Sequence, residues 1–91
     1  MSSRMSQLSL PECIAVLERM PVRINDVSPM GGGSFLVKFK YFSEKKAAWV
    51  AQNTVFCVRD GEVLTESEYC RMVMFIIALS ADIEDSMVET D

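Results

Sequence analysis

Histidine is missing from all 91 residues. That removes the commonest general base, the commonest metal ligand and the usual activator of a serine or cysteine nucleophile. Cysteine occurs three times, at Cys13, Cys57 and Cys70, an odd number with no C-x-x-C pair. A disulfide framework and a zinc site of known spacing are both disfavoured, so a reducing, cytoplasmic setting is expected, the host cytoplasm if the chain is viral. Long apolar runs are absent too. The longest, Met72–Leu79, has eight residues, far short of the roughly 20 that span a bilayer. The first residues carry no apolar stretch of the signal-peptide kind. No cofactor, metal or membrane partner is expected, and an enzyme is the least favoured class.

What is present is ordinary globular composition, 49% hydrophobic and 24% charged, in a length that suits one thin-cored domain. Charge is unevenly divided. Residues 1–59 carry eight basic and four acidic side chains; residues 60–91 carry Arg71 against nine carboxylates. The halves are therefore +4 and −8, which together give the net −4.

Residues 1–8 read as a flexible arm, 9–81 as one domain and 82–91 as an acidic tail. Ser9-Leu10-Pro11-Glu12 is a helix start with a capping box. Leu10, Cys13, Ile14, Leu17 and Met20 form a stripe that Pro21 ends. Val22–Val27 favours a strand, residues 29–34 a glycine-rich loop, and Phe35–Phe42 a strand with Phe35, Val37, Phe39 and Tyr41 on one face. These two strands are expected to form a hairpin. Ser43 is a candidate cap for a short helix over 44–52. Thr54–Arg59 is rich in β-formers, Asp60-Gly61 is a turn signal, and Glu62–Leu64 could pair back. A second capping-box pattern, Thr65 to Glu68, opens a helix over about 66–81. The expected fold is α+β: a two-layer domain with an antiparallel sheet of three or four strands and two or three helices on one face.

Gly31-Gly32-Gly33-Ser34 precedes a strand and lacks the G-K-[ST] of a phosphate loop, so it reads as a hairpin connection. All three cysteines sit in apolar patterns and read as core; Glu12 opposes a thiolate at Cys13. Two charged surfaces remain. Asp60, Glu62, Glu66, Asp82, Glu84 and Asp85 could steer the chain towards a basic partner, or serve only solubility and the helix dipole. Arg23, Lys38, Lys40, Lys45 and Lys46, with Tyr41, Phe42 or Trp49 near them, hold the ingredients of a single-strand nucleic-acid platform, or form a solvated sheet face. The last helix is apolar almost all round, and Met74, Ile77 and Ala78 extend beyond a core-facing stripe. Either other helices wrap it or it meets a partner or a second copy.

The favoured function is a small acidic protein-interaction module, an inhibitor or adaptor that binds a basic protein surface, a nucleic-acid-handling protein being one candidate. Virus-encoded antagonists of host defence, of the anti-CRISPR kind, offer an analogy of class alone. The alternatives are a homodimeric nucleic-acid-binding or regulatory protein using the basic sheet face, and a small-ligand-binding dimer with Phe39, Tyr41 and Trp49 around a pocket.

Overall fold

A computed structural model describes residues 9–59, 61 and 63–87. The elements follow in the order α1 (Leu10–Arg19), β1 (Val22–Gly31), β2 (Ser34–Ser43), β3 (Ala48–Cys57) and α2 (Glu66–Ser86). The strands form one antiparallel sheet, β1-β2-β3. This is the expected small α+β domain, at the lower number in both layers: three strands and two helices among the described residues. The arm at 1–8 lies outside them.

Helix α1 begins as its residues dictate. The Ser9 N–H donates to Glu12 Oε1 (2.9 Å), and Glu12 N–H donates back to Ser9 Oγ (3.4 Å). The Ser9 N–H first, and the Ser9 hydroxyl second, hold the Glu12 carboxyl below its ordinary pKa. The other end is closed by Arg23, whose Nη1 donates to the carbonyls of Leu17, Met20 and Val22 at 3.3, 2.7 and 2.7 Å. Leu17 and Met20 lie at the end of the helix, where carbonyls lack the intrahelical donors of the interior, and Arg23 ties them to the start of β1.

Strand β1 runs further than expected, through Pro29 to Gly31. It is an edge strand, where a missing proline N–H costs little. The hairpin closes through Gly32 and Gly33, both with positive φ (+65° and +82°). Two such residues in succession suit the right-handed twist of the strands they join. A side chain at Gly33 would also meet the Gly61 carbonyl at 3.1 Å.

The expected helix over 44–52 does not form. Its cap signal was genuine: Ser43 Oγ accepts from the Lys46 N–H at 3.1 Å. That bond closes a turn instead, with Ala47 in left-handed backbone (φ +54°). From Ala48 onward the chain pairs with β2 in unbroken register, Ser43 opposite Ala48 through Ser34 opposite Cys57. A full ladder outweighs the modest helix propensity of Ala-Ala-Trp-Val-Ala. Val63 and Leu64 form no strand, so the expected return strand at 62–64 is also absent there, Glu62 lying outside the described residues.

The inner face of β2 carries the core. Phe35, Val37, Phe39 and Tyr41 are all buried, joined by Val22, Phe56 and Val58 from neighbouring segments and by Met72 and Ile76 of α2. Complete burial of a side chain such as Met72 or Ile76 stabilises by roughly 1.5–3 kcal/mol. A second cluster, Cys13, Cys70 and Val73, locks α1 against α2. Helix α2 extends past Ala81 to Ser86. At its start Thr65 Oγ1 accepts from Glu68 N–H (3.2 Å). The Glu68 carboxylate turns outward to Arg71 Nε (2.9 Å) and the Arg59 N–H (3.4 Å).

Candidate binding surface

Strand alternation leaves the far side of the sheet without a covering layer among the described residues. Side chains directly opposite share a face, so the register puts Phe42 beside Trp49, Leu36 beside Val55, and Lys38 and Lys40 beside Asn53 and Ala51. From β1, Arg23 pairs with Lys40 and Asp26 with Lys38. Trp49 and Val55 are each 47% exposed and Phe42 is 36% exposed. The Phe42 and Trp49 rings meet edge to face, centroids 5.7 Å apart. Lys40 Nζ lies 5.4 Å from the Trp49 ring centroid, within cation–π range.

The basic residues are only partly brought together. Lys38 and Lys40 stand on this face. Arg23 stands there too, but its guanidinium is committed to the end of α1. Lys45 points the other way: its Nζ donates to the Met87 carbonyl (2.9 Å) and its N–H to Glu84 Oε2 (2.9 Å). Lys46 is exposed in the turn.

Among the described residues, the acidic side chains do not form one patch. Glu66 lies in the first turn of α2, whereas Asp82, Glu84 and Asp85 lie in its last turns. Sixteen residues of helix separate Glu66 from Asp82, about 24 Å. Asp60 and Glu62 fall outside the described residues. Glu84 is engaged with the β2–β3 turn: the Ser43 hydroxyl first, then the Lys45 N–H, hold its carboxyl below the ordinary 4.5.

Helix α1 covers one flank of α2, so Met74 and Ile77 are half-buried against the Cys13–Cys70–Val73 cluster. Ala78 is exposed, as is Phe75 at 39%. Phe39, Tyr41 and Trp49 cannot line one pocket, because β3 is a strand: Phe39 and Tyr41 point into the core and Trp49 points out. Cys57 is likewise exposed rather than core, with Sγ 3.5 Å from Ser34 Oγ. Cys13 and Cys70 are buried, and burial, with Cys70 beside it, pushes the Cys13 thiol up to about 12.

One structural residue was not legible in the pattern. Arg71, the lone cation of the acidic half, pairs with Glu68 at 2.8 Å, donates to the Cys57 carbonyl at 2.9 Å and stacks 4.6 Å above Phe56. It fastens α2 to β3. Among the described residues no helix is long and apolar enough to cross a membrane. No group of three or more Cys, Asp or Glu among them could hold a metal ion.

No known protein family, curated protein or solved structure matches this chain.

Proposed function

We propose that the chain is a protein-interaction module, an inhibitor or adaptor without catalysis, whose contact surface is the outer face of the sheet. The observation that carries this reading is Trp49, half-exposed beside Phe42 on a rigid three-stranded platform. Tryptophan anchors on well-ordered surfaces dominate the energy of protein interfaces. Leu36 and Val55 extend the apolar area, and Lys38 and Lys40 border it. The fitting partner presents an apolar hollow with carboxylates at its margin. This differs from the basic partner expected from net charge, because the acidic groups are split between the two ends of α2.

Self-association has a route in β3. Its ten residues carry no charged side chain, and it forms the outer edge of the sheet. Such an edge invites another strand. Antiparallel pairing about Gln52 sets Trp49 of one copy opposite Val55 of the other, a favourable aromatic–β-branched pair.

The test is capture of a partner from host lysate followed by direct titration, monitored through Trp49, the single tryptophan. A saturable blue shift of its emission supports the reading; binding without any change at Trp49 contradicts it. A second reading, single-stranded nucleic acid on the same face, is favoured by Lys40 over the Trp49 ring. Its mark is saturable binding of an oligonucleotide that weakens steeply with added salt.

A further inference from the structure

On the helix side of the sheet, a cavity of about 220 Å³ opens between β2 and the last turns of α2. It is small beside the 300–1,000 Å³ of drug-sized sites. Its walls include Met20, Pro21, Val22, Ile77 and Ala81. Tyr41, Glu44, Ser80 and Glu84 interrupt them, and two of these, Tyr41 and Glu84, carry a buried atom without a partner. Tyr41, only 2% exposed, has a buried hydroxyl with no hydrogen-bond partner. Glu84 presents Oε1, equally buried and without a hydrogen bond of good geometry, although the Ser43 hydroxyl lies near enough to lower the carboxyl's pKa; Oε2 accepts from Lys45. The Ser43 hydroxyl has one proton, and Met87 Sδ lies in its reach at 3.9 Å. Buried polar atoms are normally paired, and two unpaired ones in one cavity wall mark a place where a donor belongs.

The electrostatics select the kind of donor. Glu44 lines the same cavity and adds a negative charge near it. The cavity adjoins the C-terminal turns of α2, where the helix dipole is negative and the helix's own last turn carries no basic side chain. The nearest cation, Lys45 Nζ, is spent on the Met87 carbonyl. An ammonium group has three N–H donors and a compact positive charge. It can satisfy Glu84 Oε1 and the Tyr41 oxygen together, while an aliphatic stem fills the apolar walls.

We propose that this cavity binds a primary ammonium group carried on a short apolar stem. The chemistry is shared by a free alkylamine and by a lysine side chain of a partner protein. The site lies on the helix side of the sheet, away from Trp49, and shares Phe42 of its lining with the outer face.

The experiment is a titration of the ¹⁵N-labelled full chain, followed at the backbone amides of Lys45, Ala81 and Glu84. The probes are n-butylammonium chloride, n-butanol and a short peptide with one central lysine and capped ends. Saturable shifts with butylammonium, at least about tenfold tighter than with butanol, are expected, since a charged hydrogen bond is lost with the alcohol. Saturation by the peptide as well assigns the site to a lysine side chain; saturation by the free amine alone assigns it to a small molecule. Glu84→Gln keeps an acceptor for Lys45 and removes the charge, and should weaken the amine by about tenfold or more. Ala81→Phe, at an exposed helix position, leaves Glu84 intact and should block entry. Equal shifts with amine and alcohol, no saturation with either amine probe, or unchanged amine binding in a folded Glu84→Gln or Ala81→Phe variant overturns the proposal.

Discussion

Phe42 and Trp49 stand opposite one another on β2 and β3, their rings edge to face at 5.7 Å and 75°, on the side of the sheet away from both helices. Aromatic pairs of this geometry contribute about 0.5–1.5 kcal/mol beyond their area. Among the described residues no element covers either ring. Replacing Trp49 and Phe42 with serine should therefore cost little stability, about 1 kcal/mol or less per site, and fall mainly on binding. Urea denaturation of each variant checks the first half of that statement; a loss above about 3 kcal/mol for either would show the pair to be structural.

The β2–β3 turn stores strain at one residue. Ala47 holds φ +54°, a conformation that penalises a Cβ by about 1–2 kcal/mol. Ala47→Gly should stabilise the fold by about 0.5–1 kcal/mol, part of the relief being offset by the freer unfolded chain. An unchanged or lower urea midpoint would show that the turn is not held as described.

Arg71 should be worth more than an exposed charge. Its truncation removes a charged hydrogen bond to the Cys57 carbonyl, the Glu68 pair and the stacking on Phe56. Arg71→Ala should cost about 1–2 kcal/mol. Arg71→Lys, lacking the planar group, should recover less than half of that loss. Full rescue by lysine would reduce the contact to simple charge.

The three thiols should separate by rate. Cys57 is exposed, whereas Cys13 and Cys70 are buried between the helices and Cys13 is pushed up to about 12. A thiol reagent at pH 8 should titrate one group per native chain quickly and the other two only on unfolding. Fast reaction of all three would mean that α1 opens readily from α2.

Acid should unfasten both ends of the helical layer. Glu12 and Glu84 are each held below 4.5 by hydrogen bonds. A depressed carboxyl binds fewer protons folded than unfolded, so its contribution is complete above about 4.5 and is lost as pH falls through the lower folded value. Thermal melts between pH 6 and 3 should show falling Tm, less steeply for Glu84→Gln. At the alkaline end, burial raises Tyr41 and Tyr69. Their contribution is full below the ordinary value of 10 and is lost as pH rises past it.

Much of the fold was legible because local and global signals agree. Ser9-Leu10-Pro11-Glu12 started α1, the Phe35–Tyr41 alternation identified the inner face of β2, and Gly32-Gly33 marked the hairpin. The second helix failed for an instructive reason. Ser43 does make the capping bond, but the same bond serves a turn. The stretch from Ala48 has alternation on only one side, because β3 keeps half-buried Gln52 and Thr54 inward and Trp49 and Val55 outward. Polar inward residues hide a strand from pattern reading. The outer sheet face was hidden for the same reason: with 44–52 as a helix, Trp49 could be placed beside Phe39. Net charge carries no positions: it sums residues along the chain and does not register the length of α2 between Glu66 and Asp82.

The central claim is that contact runs through the sheet face and not through the acidic groups, and one comparison decides it. The protein, a Phe42→Ser/Trp49→Ser variant and a Glu66→Lys/Asp82→Lys/Asp85→Lys variant are each immobilised, each first shown to be folded by circular dichroism, and used to capture partners from the same host lysate at physiological salt. The account predicts that a protein retained by the wild type is retained by the lysine variant and lost from the serine variant. Retention by the serine variant with loss from the lysine variant would contradict it and return the working surface to the carboxylates of α2.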